Sequence, residues 1–149
     1  MPTTTCEIGE GVLGVYGEND HLVSEVLDYF KPVGYVVNAE SEDALDKIMI
    51  SAASGVGFIL EVMQIWSEWL TEDNQFSKEE ADRITEESFA GVMSLIGSTD
   101  KSFAKLQSEV TSKKGVTLAG LESMRHAEID RVLRLGFAAA LKRNTELGR

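Results

Sequence analysis

The chain of 149 residues has few of the residues on which disulfide-linked and metal-bound proteins depend. Its single cysteine, Cys6, excludes an intrachain disulfide and favours a reducing compartment. The first residues carry no signal-peptide pattern, so a cytoplasmic protein is expected. The two histidines, His21 and His126, are isolated, and no second ligand follows either one at the spacing of a metal site. The sequence therefore predicts no bound metal.

Positive charge is also scarce, with 14 Lys and Arg residues against 25 Asp and Glu residues and a net charge of −11. Binding to nucleic acid or to an anionic membrane surface requires basic patches, which this balance disfavours. The most apolar stretch, residues 56–70, is interrupted by Glu61, Gln64 and Glu68, which argues against a membrane span. We expect neither a nucleic-acid nor a membrane partner.

A dinucleotide-binding fingerprint is missing as well. Gly9, Gly11 and Gly14 give a superficial G-x-G-x-x-G, but strand-like residues follow it where the fingerprint requires a helix. No pair of carboxylates stands out as a general acid and base, so catalytic residues stay unassigned. The chain alone is predicted to bind no nicotinamide cofactor.

What the first forty residues do contain is a strand–helix–strand pattern. Residues 11–16 and 35–37 are typical of short strands. Between them Asn19 or Asp20 can cap a helix that Pro32 stops. Two strands are too few for an independent sheet, so this segment is the last piece of a larger α/β layer.

From Ser41 onward the pattern is helical almost throughout. Residues 51–57 are rich in small side chains, which permits close helix approach or marks a helix break. Residues 56–70 are apolar around most of a helix, which one small domain cannot bury, so a core between subunits is expected. Trp66 and Trp69 favour core or interface packing over a ligand platform. Further helices follow a capping box at Ser77 and then over residues 101–110, 116–124 and 128–147.

The most informative stretch is Val110-Thr111-Ser112-Lys113-Lys114-Gly115-Val116-Thr117-Leu118-Ala119-Gly120-Leu121, here called the signature loop. One helix ends at its start and another begins near Val116. Free N–H groups and the dipole at a helix N-terminus attract an anion such as a carboxylate. The alternative is a plain connection between two helices with hydroxyl caps.

The signature loop resembles the V-T-S-P-G-G-T-T-I-A-G-L signature of pyrroline-5-carboxylate reductases, with Lys113 in place of Pro and Lys114 in place of the first Gly. Residues 1–5, M-P-T-T-T, are similar to the family's M-P-N-T-P loop, which faces the nicotinamide. Residues 8–12 resemble its next strand, and residues 50–58 resemble A-L-S-G-S-G-P-A-Y, with Val56 replacing Pro. The family's first half, the dinucleotide-binding domain, has no counterpart in these residues.

The resemblance implies a mainly α fold. Residues 41–149 would be a helical dimerisation domain, similar to the C-terminal domain of 6-phosphogluconate dehydrogenase. Residues 1–40 would be a strand–helix–strand remnant of a Rossmann domain. The family reduces 1-pyrroline-5-carboxylate to proline with NADPH or NADH, as homodimers that often assemble further into rings.

By matched position, Ser112, Gly115, Val116 and Thr117 would hold a small carboxylate substrate, and Thr4 would lie near the nicotinamide. On these grounds the chain supplies a dimer core and half a substrate pocket, and is predicted to be inactive as a reductase by itself. Two alternatives remain open. The chain is a stand-alone non-reductase that binds or transforms another small molecule, or it is a structural partner of a full-length homologue.

Overall fold

The computed structural model describes residues 3–148. Met1 and Pro2, which open the M-P-T-T-T match, lie outside the described residues. The chain up to Ile59, together with the chain from Arg134 onward, forms one compact unit, and Leu60–Leu133 forms a second. We call them the first and second units. The sequence predicts a division at residue 41, where the strand–helix–strand pattern gives way to helices. The compact units divide differently, because the first helices and most of the last helix belong to the same unit as the strands.

The first unit contains a parallel sheet made of β1 (Gly11–Val15) and β2 (Gly34–Asn38), in a register that places Gly11 opposite Gly34. The helix α1 (Asp20–Phe30) connects the strands, and the Asn19 side chain accepts from the N–H groups of His21 and Leu22 at 3.1 Å. A short 3-10 turn containing Pro32 follows α1. The predicted strand–helix–strand pattern is thus present in the structure.

Glycine lets β1 and β2 approach closely where they start. Gly34 has φ +133°, and a Cβ atom there would lie 2.1 Å from the backbone oxygen of Gly11. A side chain at Gly34 would therefore meet backbone, which has no room to give way. The start of the sheet depends on this glycine.

After β2 the chain forms one unbroken helical run over Glu42–Thr71, 30 residues long. It comprises α2 (Glu42–Met49), a π-helical turn (Ile50–Ser54) and α3 (Gly55–Thr71). The small residues at 51–57 therefore do not break the helix. By length and composition alone this run could cross a membrane, and most of its surface is exposed.

The second unit is built from helices. The end of α3 pairs with α4 (Lys78–Gly97), and the predicted capping box is present, with Ser77 N–H donating to Glu80 at 3.0 Å. Trp66 and Phe89 pack edge to face at 5.6 Å between ring centres. The unit continues with α5 (Phe103–Glu109) and α6 (Val116–His126), and α7 (Ile129–Leu147) returns the chain to the first unit. The mainly α fold class is confirmed.

Little apolar surface is buried within this chain. In the second unit, Ala81 and Leu106 are the buried apolar side chains among the described residues. The apolar side chains along α4 are largely uncovered, with Ile84, Val92 and Leu95 all exposed. Exposure on this scale is unusual for a monomer and marks an interaction surface.

Candidate functional site

The helix before the signature loop is fixed by an ion pair at its end. The ammonium group of Lys101 donates to both carboxylate oxygens of Glu109, at 3.0 and 2.9 Å, and Lys105 lies 3.5 Å from the same group. The hydrogen bond from Lys101 holds the pKa of Glu109 below its usual value. The last residue of α5 is therefore anchored immediately before the loop begins.

Thr111 completes the end of α5. Its hydroxyl donates to the backbone oxygen of Gln107 at 2.6 Å, and its N–H donates to the backbone oxygen of Ser108 at 3.4 Å. Because these carbonyls have no partner within the helix, Thr111 acts as a C-terminal cap. Its hydroxyl bonds back to α5 and not to the start of α6.

The chain then turns through residues 112–115, where Gly115 N–H donates to the backbone oxygen of Ser112 at 3.0 Å. Lys114 has φ +63°, whereas Lys113 is not among the residues with positive φ. A negative φ followed by a positive φ is the pattern of a type II turn, which favours Pro at its second position and Gly at its third. The Pro-Gly pair of the reductase signature suits this turn, whereas Lys114 is a non-glycine residue at the position with positive φ.

Gly115 is the N-cap of α6, and no side chain caps the first N–H groups of this helix. A Cβ atom at Gly115 would lie 2.4 Å from the Ser112 hydroxyl oxygen and 3.1 Å from the Ser112 backbone oxygen, so a larger residue would require the Ser112 side chain to rotate. Val116 is 91% exposed, and Ser112 and Thr117 are exposed as well. The four predicted substrate residues thus surround one open helix N-terminus, where backbone donors can meet an anion.

Thr4 lies in the first unit, at the start of a 3-10 turn over Thr4–Ile8. Its neighbour Thr3 is buried and hydrogen-bonds to the Thr5 hydroxyl at 2.8 Å, while Cys6 N–H donates to the backbone oxygen of Thr3 at 3.0 Å. Thr4 itself is exposed. This exposed position on a fixed turn is compatible with a cofactor contact, which stays a prediction.

Two polar contacts in the second unit were not foreseen from the sequence. Arg125 donates to the side-chain oxygen of Gln107 at 3.0 Å across the signature loop. The buried Ser67 hydroxyl donates to Asp82 at 2.6 Å and accepts from Lys78 at 3.1 Å, which joins α3 to α4. No local spacing rule could reveal the first contact, because 18 residues separate its partners.

A cavity of about 480 Å³ lies beside the sheet in the first unit, and its lining is largely apolar. The residues that line it are Val12, Val37, Lys47, Ile48, Ser51, Ala52, Val56 and Ile59. Val56, which replaces the Pro of the reductase motif, thus contributes to this wall. Within residues 3–148 no cluster of His, Cys, Asp and Glu side chains could hold a metal ion.

Comparison with known proteins agrees on one family. Residues 42–147 match the family model for pyrroline-5-carboxylate reductase dimerisation. Among curated proteins, pyrroline-5-carboxylate reductase of Staphylococcus aureus strain COL is 28% identical over 150 residues, which cover 99% of this chain and 55% of that protein. Pyrroline-5-carboxylate reductase of Staphylococcus haemolyticus is 27% identical, and the match covers 55% of that protein. The chain therefore spans about half the length of these relatives.

Solved structures give the same answer for the fold. Pyrroline-5-carboxylate reductase from Coxiella burnetii superposes with a TM-score of 0.90 at 25% identity, covering 99% of this chain and 55% of that one. Pyrroline carboxylate reductase from Plasmodium falciparum, crystallised with NADP bound, superposes with a TM-score of 0.85 at 20% identity. The match covers 100% of this chain and 62% of that one.

Proposed function

The chain belongs to the pyrroline-5-carboxylate reductase family, and from that premise we propose that it forms a homodimer that supplies the helical core and the substrate-side loop of such a reductase. The reaction proposed is reduction of 1-pyrroline-5-carboxylate to proline by NADPH or NADH. The proposed compartment is the cytoplasm, and further assembly of the dimers is compatible with this role.

The observation that carries the dimer is the uncovered apolar face of α3 in the second unit. Trp66 is 47% exposed and Trp69 is 65% exposed, although large aromatic side chains contribute most when buried. Leu60 and Ile65 on the same helix are also exposed. A second copy of the same face would cover these side chains in an obligate interface, which typically buries on the order of 2,000 Å² or more in total.

The substrate carboxylate is proposed to bind at the start of α6. Its uncapped N–H groups and the hydroxyls of Ser112 and Thr117 supply donors, and the helix dipole adds a favourable field. Lys113 and Lys114 are exposed on the adjoining turn and add positive charge. The role of this chain in the reaction is therefore to bind and orient the imino acid.

Cofactor binding is proposed to come from polypeptide outside these residues, on the same chain or on another. The free edge of β1 supports this idea, because β1 pairs with β2 alone among the described residues. Parallel sheets of two strands are not stable alone, and a further strand would extend this one. NADPH oxidation by residues 1–149 alone, assayed with 1-pyrroline-5-carboxylate, should stay at background.

The dimer is tested by sedimentation at micromolar concentration, comparing the native chain with Trp69→Glu. The native chain should sediment as a dimer, and the variant should dissociate because a carboxylate would enter the apolar interface. Tyr29→Glu is the matched control, since Tyr29 is 78% exposed on α1. A folded native monomer, or co-sedimentation with phosphatidylcholine–phosphatidylglycerol vesicles, would contradict the proposal.

The ligand site is tested by calorimetric titration with proline. Thr117→Ala removes a hydrogen bond to a charged group, so the affinity should fall about tenfold or more. Thr145→Ala is the control, because the Thr145 hydroxyl donates to Leu141 within α7. If Thr117→Ala leaves the affinity for proline unchanged, the ligand does not bind at the start of α6.

A non-reductase that binds another small carboxylate is the second candidate. The substitution of Lys113 and Lys114 for Pro and Gly favours it, because two ammonium groups extend the range of anions the loop can attract. Stronger binding of a dicarboxylate than of proline would support this candidate over the first.

A further inference from the structure

The signature loop is closed by a hydrogen bond between residues distant in sequence. Arg125, in the last turn of α6, donates from Nη2 to the side-chain oxygen of Gln107 in α5 at 3.0 Å. The 18-residue separation encloses the whole of the predicted substrate site, including Ser112 and Thr117. The backbone oxygen of Gln107 also accepts from the Thr111 hydroxyl at 2.6 Å. Gln107 therefore hydrogen-bonds both to the start of the loop and to the last turn of α6.

We propose that Gln107 and Arg125 form a clasp that positions the signature loop. The loop needs such support because its own residues give little. Lys113 and Lys114 occupy turn positions that favour Pro and Gly, Lys114 has φ +63°, and Gly115 leaves α6 without a side-chain cap. A contact that closes the segment removes many of the conformations open to a loop of this length.

The consequence for ligand binding rests on the proposed function. A carboxylate at the start of α6 requires several donors at fixed positions, and a loop that opens part of the time presents them only in its closed fraction. Gln107 and Arg125 would then influence affinity without touching the ligand.

The test measures hydrogen exchange of the Gly115 amide by NMR, because this N–H donates to Ser112 across the turn. Gln107→Leu and Arg125→Met should each raise its exchange rate about two- to tenfold, as expected for one net hydrogen bond. Gln107→Glu keeps an acceptor for Arg125 and should restore the native rate. Arg143→Met is the matched control, since Arg143 is an exposed arginine that bonds Glu146 at 3.1 Å within its own helix. The Thr85 amide within α4 serves as an internal reference for global unfolding.

Unchanged Gly115 exchange in Gln107→Leu or Arg125→Met would overturn the clasp. So would equal effects of Gln107→Glu and Gln107→Leu, or additive effects of Gln107→Leu and Arg125→Met in the double variant. The same variants are titrated with proline, and affinity should fall in step with the exchange rate. Proline binding that is absent from the native chain would refute the proposed function while the exchange result still decides the clasp. Faster exchange with unchanged proline affinity would overturn the positioning role.

Discussion

Left-handed backbone occurs in both units, but only the first unit places glycine there. Gly9 and Gly34, with φ +75° and +133°, lie in the first unit. In the second unit the described residues with positive φ are Asp73, Lys114 and Glu128, with φ between 57° and 63°. Each lies in a connection between two helices, where a side chain makes this conformation costly.

The difference shows where each unit obtains its stability. The first unit relies on close backbone contact, as between Gly34 and Gly11. The second unit has few buried apolar side chains, and polar groups join its helices in addition to the Trp66–Phe89 contact, with Ser67 bonded to Asp82 and Arg125 bonded to Gln107. A unit with strained connections and a small core of its own requires burial against a further surface, which agrees with the proposed dimer.

The largest effect is expected for Gly34→Ala in the first unit. The added Cβ atom would meet the Gly11 backbone oxygen at 2.1 Å in a conformation that side chains rarely adopt. The free energy of unfolding should fall by about 3 kcal/mol or more, measured by chemical denaturation. Gly91→Ala in α4 is the counterpart in the second unit, since nothing lies within 4 Å of its added Cβ atom. It should be neutral or stabilising, and similar losses from both substitutions would remove the contrast between the units.

Ser67→Ala tests the polar joint of the second unit. Ser67 is 2% exposed, and its hydroxyl bridges α3 to Asp82 in α4. Loss of this bond should lower the free energy of unfolding by about 1–2 kcal/mol. The control is Ser88→Ala, because the exposed Ser88 hydroxyl donates to Ile84 within α4. Equal stability of the two variants would mean that the joint contributes nothing.

Lys114→Gly should stabilise the second unit by about 1 kcal/mol, because glycine adopts positive φ without steric cost. Lys113→Gly, one residue earlier and without positive φ, should be neutral or slightly destabilising. Thermal unfolding of both variants shows whether the stabilisation comes from removing the strained backbone conformation at Lys114 or from removing a positive charge. Equal stabilisation by the two substitutions would assign the effect to charge.

Acid should affect the second unit through carboxyl groups whose pKa values are lowered. Hydrogen bonds from Ser77 lower the pKa of Glu80, and those from Lys78 and then Ser67 lower the pKa of Asp82. Each of these carboxyl groups has a lower pKa in the folded chain than in the unfolded chain, where the pKa is about 4. Its ionised form therefore stabilises the fold above the unfolded pKa, and this contribution is lost as the pH falls through the folded pKa.

The NMR signals of the folded second unit should therefore lose intensity below about pH 4. In Asp82→Asn this loss of intensity should be smaller. A variant as acid-sensitive as the native chain would exclude Asp82 as a cause.

Local sequence signals predicted the elements well. The Asn19 cap, the Ser77 capping box and the two strands all depend on neighbours within a few residues, and the structure contains each of them. Residues 51–57 were harder, because small side chains allow either a break or close packing and do not specify a π-helical turn.

The signature loop was found through resemblance, since its residues alone also fit a plain helix connection. The positive φ at Lys114 could not be predicted from the sequence, because a lysine rarely adopts this conformation. The Arg125–Gln107 contact was also beyond reach, because side chains 18 residues apart meet only through the path of the chain between them. The assignment of Ser112, Gly115, Val116, Thr117 and Thr4 to ligand contacts remains a prediction.

The π-helical turn over Ile50–Ser54 also sets a rotational phase. Each residue of an α-helix advances the side-chain direction by about 100°, and a π turn accommodates one extra residue without breaking the helix. Deleting Ser51 would therefore let the segment relax to regular α-helix and leave Val56 and Ile59 facing the cavity that they line. A one-residue deletion in the regular helix α3 would instead rotate the residues that follow it by about 100°. The π-helical turn is therefore the part of this helical run that should tolerate a one-residue deletion best.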